Sequence, residues 1–213
     1  MALSGSIALL ASSLWWFHCL VSILPLGEGH SIESMKIAKQ LKDNNVCEYL
    51  LYMWQIEDTL RAFSLDIDRL DSDYISHLQL SADEACEERE WMENLIRMMH
   101  EEGCVEHGHL QINKGTLSLL IDLHQQLLHS PKHPFYSAAY YKSLPFIVEL
   151  RSRGNKEVGE LETCFQSLYG VMLLRLQKRP ISSETQLAVD TISHLLALLA
   201  DAWRKEREGQ LEL

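Results

Sequence analysis

The stretch Tyr49-Leu-Leu-Tyr-Met-Trp-Gln-Ile-Glu-Asp58 carries the strongest structural signal in the chain. Apolar residues recur there in steps of four and three positions and continue beyond it: Tyr49, Met53, Ile56, Leu60 and Phe63. This spacing places them on one face of an α-helix. Further apolar residues widen the face until little of the surface is polar: Leu50, Leu51, Tyr52 and Trp54. We expect such a helix, over residues 46–63, to lie inside a bundle.

Helical periodicity extends in both directions from this stretch, and strand-like alternation is nearly absent. The sequences Ser81-Ala-Asp-Glu84 and Ser183-Glu-Thr-Gln186 each read as a capping box at a helix start. Pro145 is expected to kink or split a helix, and Gly103 to end one. Since short loops join the long helices, the sequence predicts an all-α fold. We expect a single-domain bundle of six or seven mostly antiparallel helices over residues 35–208, with a disordered tail over 209–213.

Composition limits the function further. Of the 213 residues, 46% are hydrophobic and 23% are charged, which is typical of a folded globular protein. The formal net charge is −11, and it is −9 from Met35 onward, so the chain should repel phosphate backbones and not bind nucleic acid. The five cysteines are scattered and form no Cys-x-x-Cys pair. They favour a reducing compartment, the cytoplasm.

The first 34 residues form an apolar segment with two charged side chains, Glu28 and Glu33. Three interpretations remain open. An over-extended reading frame would place the true start at Met35, where the composition changes. A membrane anchor would use residues 7–26, whose length suits a bilayer. A signal peptide is the third interpretation, although the segment lacks a basic start.

Glu57 is unusual because its acidic side chain lies next to the apolar face of the predicted central helix. On a helical wheel it lies at the edge of the apolar face, beside Trp54, with Asp58 next to it and Arg61 one turn later. One interpretation is a polar pocket in which these four residues bind a ligand and Glu57 has a raised pKa. The structural alternative is an ion pair with Arg61 that fixes the packing register.

No pattern in the sequence indicates a catalytic residue, a metal site or a cofactor. Cys104, His107 and His109, with His100 one turn earlier, offer metal-binding side chains, but structural zinc needs closer cysteine pairs. We therefore interpret this stretch as an exposed turn. His124 lies on an apolar helix face, where a buried and hydrogen-bonded histidine is expected.

An aromatic cluster lies beside two prolines and consists of Phe135, Tyr136, Tyr140, Tyr141 and Phe146. It suits either helix packing or a partner surface. The long apolar face of the last helix, over residues 183–207, is a second possible surface and would join copies of the chain.

The run Glu48-Tyr-Leu-Leu-Tyr-Met-Trp-Gln-Ile-Glu-Asp58, with Lys36-Ile-Ala-Lys39 upstream and residues 63–68 downstream, resembles a family of uncharacterised helical proteins. It is a domain-of-unknown-function family found mainly in Bacteroides-type bacteria. The resemblance covers about residues 35–207. It implies an all-helical fold and carries no catalytic residue to this chain.

Two functions are therefore expected. The first is a non-catalytic helical binding or adaptor protein, with an unknown protein partner or a second copy. The alternative is a small-molecule-binding or enzymatic bundle around Glu57, Asp58 and Arg61. The chain would contact a membrane only if residues 7–26 are an anchor.

Overall fold

The computed structural model describes residues 34–154 and 157–213, and it is all-α in that part. Eight α-helices occupy the described residues: α1 Ser34–Asn44, α2 Val46–Ala62, α3 Ile67–Asp73, α4 Ala82–Glu101, α5 Gln111–His129, α6 Pro134–Arg153, α7 Glu160–Leu176 and α8 Ser183–Arg207. A 3₁₀ turn, Ile75–His77, follows α3. The all-α prediction is confirmed. The count exceeds the predicted six or seven when the seven-residue α3 is included.

The chain divides into two compact units. The described part of the first unit comprises residues 34–44 and 48–115. In this unit α4 packs against α1, α3 and the 3₁₀ turn. The apolar face predicted for α2 lies in the core, where Leu50, Ile56 and Leu60 are fully buried. The prediction of an interior central helix therefore holds within this unit.

The second unit comprises residues 45–47 and the described part of 116–213. Three of its helices, α6, α7 and α8, pack on one another. The apolar face of α8 is buried within the chain, at Val189, Ile192, Leu195, Leu196 and Leu199. A surface between copies, which the sequence placed on this face, is therefore not available there.

The helix ends show which local patterns fold as expected. Ser81 forms the predicted capping box with Glu84 at the start of α4. The box predicted at Ser183 is wrong, because Ser182 caps α8 and accepts a hydrogen bond from the Thr185 backbone N–H. Gly103 follows the end of α4 with φ +66°, a conformation that glycine adopts without a Cβ penalty.

Pro145 neither splits nor ends its helix, since α6 runs without interruption from Pro134 to Arg153. The side of α6 opposite Pro145 is buried against the second unit's core, and there the Ser143 hydroxyl donates to the Thr191 carbonyl at 3.3 Å. Pro145 itself lies on the exposed side. The tertiary contacts of the buried side therefore hold the helix together through the proline.

The apolar segment over residues 1–34, including the candidate membrane span over 7–26, lies outside the described residues apart from Ser34. Within the described part, no helix has the length and apolar character needed to cross a bilayer. At the other end, the tail predicted to be disordered makes defined contacts. The backbone N–H groups of Gln210 and Leu211 donate to Lys205 O, and the Glu212 carbonyl accepts from His133 Nε2 at 2.8 Å.

Candidate functional site

The four predicted site residues, Trp54, Glu57, Asp58 and Arg61, lie on α2 in the first unit. They face the loop over residues 102–110, which joins α4 to α5 and which we call the α4–α5 loop. Trp54 and Glu57 are buried, whereas Asp58 and Arg61 are half-buried. The helix therefore turns its polar edge toward the loop.

The Glu57 carboxylate is fully buried and is held by three donors. Oε1 accepts hydrogen bonds from the Leu110 backbone N–H at 2.9 Å and from Asn113 Nδ2 at 2.7 Å. Oε2 lies 2.6 Å from His109 Nδ1. Leu110 directly precedes α5, so the negative charge sits at the positive end of that helix. Glu57 thus caps α5 from another helix.

His109 combines a fixed ring with contact to solvent. Its ring stacks on Trp54, with centroids 4.2 Å apart and planes at 13°. The Glu57 carboxylate occupies Nδ1, while 29% of the side chain stays exposed. A carboxylate on one ring nitrogen fixes the orientation of the imidazole. Nε2 is then the nitrogen that can exchange a proton or bind a ligand.

Arg61 ties the same loop to α2. It pairs with Asp58 at 2.8 Å, and its Nη2 donates to the carbonyls of Cys104 and Gly108. The expected ion pair therefore forms with Asp58 at i+3. Among the described residues no ion pair joins Arg61 to Glu57. The Glu57 carboxylate instead accepts the Leu110 backbone N–H at the start of α5. Of the two intrahelical partners that the spacing allows for Arg61, the ion pair is thus made with Asp58.

The electrostatics of the α4–α5 loop disfavour a nucleophilic cysteine. Burial raises the pKa of the Cys104 thiol, and the negative charge of Glu57 raises it further. Burial followed by the charge of Glu57 also raises the pKa of Tyr49. Both groups therefore keep their protons at neutral pH. A protonated, buried thiol is a poor attacking group.

The histidine and cysteine side chains of this loop do not converge. His107 is exposed, His109 is engaged with Glu57, and Cys104 is buried. Among the described residues, no group of three or more metal-binding side chains is placed to hold an ion.

The second unit has its own buried polar cluster. His124 Nδ1 lies 2.5 Å from the Tyr136 hydroxyl, and both side chains are buried. Tyr140 packs edge-on against His124 and donates its hydroxyl to Glu160 at 2.8 Å. Burial lowers the pKa of His124, and burial followed by the Glu160 contacts raises the pKa of Tyr140 to about 12. This cluster is neutral apart from Glu160 and its partner Arg151.

The predicted aromatic cluster divides between the two sides of α6. Tyr136 is buried with Ala139, Ser143 and Ile147 on the inner side. Phe135 and Tyr141 are 84% and 66% exposed, and Val148 is 56% exposed. We call the exposed side, formed by Phe135, Ala138, Tyr141, Pro145 and Val148, the outer face of α6. The helix-packing interpretation is therefore confirmed for Tyr136, and the partner surface stays a prediction for the exposed residues Phe135 and Tyr141.

The stretch of α2 that resembles an uncharacterised helical family, residues 48–58, contains the buried Glu57. The family model described as "Domain of unknown function (DUF4924)" matches residues 35–210. The chain belongs to the DUF4924 family. No curated protein and no solved structure matches the chain. The DUF4924 match begins at Met35, as predicted, and extends three residues past the predicted end.

The sequence identified the residues that α2 contributes to this candidate site but missed Leu110 and Asn113, which donate hydrogen bonds to Glu57. His109 was noticed only as a weak metal ligand. A usable signal existed: a buried carboxylate at the edge of an apolar stripe needs donors. A loop with two glycines just before a helix start supplies backbone N–H groups of that kind.

Proposed function

We propose that this DUF4924 protein is a non-catalytic helical binding protein, and that its docking surface is the outer face of α6. The observation that carries the proposal is the exposure of Phe135, Tyr141 and Val148 on one helix side. Single apolar side chains are normal on protein surfaces, but a continuous apolar face marks an interaction site.

The spacing of this face suits a helical partner. Ala138, Tyr141, Pro145 and Val148 follow one another at intervals of three, four and three residues. These intervals align side chains along one side of a helix, where the apolar side of a second helix can lie. Lys142 is the one charged side chain between Phe135 and Val148, so little desolvation of charge opposes docking.

Charge favours a different protein over a second copy. The chain from Met35 onward has a formal net charge of −9, so two copies repel each other at long range. The apolar spacing of the face and the repulsion between copies together point to one occupant, the apolar side of a helix of another protein.

The proposed location is the cytoplasm. The four cysteines in the described residues, Cys47, Cys86, Cys104 and Cys164, form no disulfide with one another. Cysteines without disulfides suit a reducing compartment. Exposed Cys86 is the side chain that an oxidising compartment would affect first.

Site-specific photo-crosslinking in the native cells tests the docking surface. A photoreactive phenylalanine analogue replaces Tyr141 or Val148, and a control chain carries it at Leu119, which is 54% exposed on α5. We expect adducts with one other protein from the two α6 positions only. Equal labelling from Leu119, no adduct from α6, or an adduct of twice the chain mass would each reject the proposal.

A second candidate, a small-molecule or enzymatic site, is favoured by the Glu57–His109 pair. A buried carboxylate on Nδ1 and a partly exposed ring are the arrangement of a general base. ¹⁵N NMR of the His109 ring during addition of a metabolite library tests this function. A compound that shifts the Nε2 signal of the wild type but not of Glu57→Gln supports it. A library without any such compound contradicts it.

A further inference from the structure

The end of α7, the turn after it and the start of α8 form what we call the α7–α8 corner, residues 172–188. Val171 is the last buried residue of α7, and Val189 is the first buried residue of α8. The structure describes every residue between them, and none of these side chains is buried. The corner therefore extends beyond the core of the second unit.

The α7–α8 corner is nevertheless rich in large apolar residues: Met172, Leu173, Leu174, Leu176, Ile181 and Leu187. Leu187 is 56% exposed, and the other five are half-buried. Earlier in α7 and later in α8, apolar side chains such as Phe165 and Ile192 are fully buried. Apolar side chains that lie close together and stay accessible mark an interaction site.

The α7–α8 corner is basic, although the chain is acidic. It contains three basic residues, Arg175, Lys178 and Arg179, and one acidic residue, Glu184. Its formal net charge is therefore +2, whereas the formal net charge of the whole chain is −11. A basic surface of this kind attracts acidic groups.

The basic side chains of the corner are not neutralised by carboxylates of the chain. Arg175 Nη2 donates a hydrogen bond to Gln186 Oε1 at 2.9 Å, and Gln186 Nε2 donates in turn to Asp190. The amide of Gln186 thus separates this guanidinium group from the nearest carboxylate. Within the described residues, neither Lys178 nor Arg179 forms an ion pair. All three charges are therefore available to a partner.

Gly170, in the middle of α7, is not required by the packing of the chain. Glycine weakens the interior of a helix relative to alanine. A Cβ added at Gly170 meets nothing within 4 Å beyond its own helix backbone and chain neighbours. Gly170 precedes Leu173 and Leu174 by one turn, so it shares their side of α7. The missing side chain allows another molecule to approach the helix closely there.

We propose that the α7–α8 corner binds an acidic segment of another protein. The carboxylates of this segment pair with Arg175, Lys178 and Arg179, and its apolar side chains pack on the leucines beside them. The local charge and the open space at Gly170 both support this occupant. The inference is independent of the outer face of α6, which lies on a different helix.

An anionic lipid surface fits the corner less well. Polybasic segments that bind such membranes carry about four to eight Lys or Arg residues, whereas the corner has three. The formal net charge of −11 also repels the chain from anionic headgroups. A carboxylate of a peptide, in contrast, forms directed hydrogen bonds with a guanidinium group.

Photo-crosslinking from Leu187 in the native cells tests the proposal. A photoreactive phenylalanine analogue replaces Leu187, and a control chain carries it at Leu119, which is similarly exposed at 54%. Mass spectrometry then maps the crosslinked peptide. We expect a peptide of another protein with an excess of Asp and Glu, and we expect it from Leu187 only.

Two variants with the same change in net charge test the basic residues. Lys178→Gln combined with Arg179→Gln removes two positive charges from the corner, and Lys142→Glu lowers the net charge equally on α6. We expect the double variant to reduce the adduct yield about tenfold. Lys142→Glu should leave the yield unchanged.

Gly170→Ala separates binding from folding. The new methyl group meets open space within the chain, so the midpoint of thermal unfolding should stay constant or rise. The same methyl group would clash with a closely bound segment, and the adduct yield should fall about fivefold or more. A lower unfolding midpoint or an unchanged adduct yield would overturn the close approach at Gly170.

A synthetic copy of the crosslinked peptide gives the affinity. The wild type should bind it about tenfold more tightly than a copy in which Asn and Gln replace Asp and Glu. A neutral or basic crosslinked peptide, an adduct with a lipid or with a second copy, no adduct from Leu187, or equal yields from the wild type and the double variant would each overturn the proposal.

Discussion

The two units place their charges differently. Residues 34–44 and 48–115 of the first unit contain eight basic and seventeen acidic side chains, a formal net charge of −9. Residues 45–47 and 116–213 of the second unit contain eleven of each, a formal net charge of zero. The first unit buries two carboxylates, Glu57 and Glu88, whereas its neighbour buries neutral polar groups such as His124 and Ser143.

The difference separates two ways of using polar residues. In the first unit each buried glutamate meets the start of another helix, so charge joins segments that are far apart in the sequence. In the second unit the buried polar groups form neutral hydrogen bonds, and the apolar outer face of α6 is exposed. The first unit therefore uses buried carboxylates to join its helices, whereas the second unit exposes an apolar helix face.

Removal of the Glu57 carboxylate should have the largest effect. Glu57→Ala leaves the Leu110 N–H, the Asn113 amide and the His109 ring without their acceptor in a buried site. We expect the free energy of unfolding to fall by about 3–5 kcal/mol. Urea denaturation measures the loss, and hydrogen exchange should show the α4–α5 loop opening first.

Glu57→Gln is the matched control for this prediction. Its amide oxygen can still accept from Leu110 or Asn113, so we expect a loss of about 1–2 kcal/mol. Equal losses for the two variants, or a loss under about 1 kcal/mol for Glu57→Ala, would show that the carboxylate does not hold the loop.

The fold was more predictable than this site for a physical reason. Helix stripes and the Ser81 box depend on residues three or four positions apart, which the sequence displays directly. The partners of Glu57 lie 52 to 56 positions away, so a helical wheel could offer only Arg61. Glu88 was missed since it lies in the charged run 87–90, a pattern typical of a solvated face.

Acid should weaken the second unit through His124. Burial lowers the pKa of this ring in the folded protein, so the unfolded chain takes up the proton first as the pH falls. The free energy of unfolding should therefore decrease below about pH 6.5, by up to about 1.4 kcal/mol per pH unit, and be constant above it. Urea unfolding at several pH values measures this slope.

His124→Gln should flatten that slope, whereas His100→Gln, which replaces an exposed histidine in the first unit, should leave it intact. If His124→Gln and the wild type lose stability in parallel between pH 7 and 5, the buried ring is not the group that titrates.

The helix caps give a smaller contrast between the units. The Ser81 hydroxyl oxygen accepts a hydrogen bond from the Glu84 backbone N–H. In return, the Ser81 backbone N–H and hydroxyl both donate to Glu84 Oε2. At Ser182, the one backbone group that donates to the side-chain oxygen is the Thr185 N–H. We expect Ser81→Ala to cost about 1.5 kcal/mol and Ser182→Ala about 1 kcal/mol. Thermal unfolding of both variants compares them, and a larger loss at Ser182 would contradict the ranking.

Substitution on the outer face of α6 should have the smallest effect on stability. Tyr141→Ser removes a side chain that is 66% exposed, so the free energy of unfolding should change by less than about 0.5 kcal/mol. Tyr136→Ser, five residues earlier on the buried side, removes the partner of His124 and should cost about 3 kcal/mol or more. Urea denaturation of the pair measures the difference. A large fall in the free energy of unfolding for Tyr141→Ser would mean that this ring stabilises the fold. That result would contradict the proposal that the outer face of α6 is a docking surface.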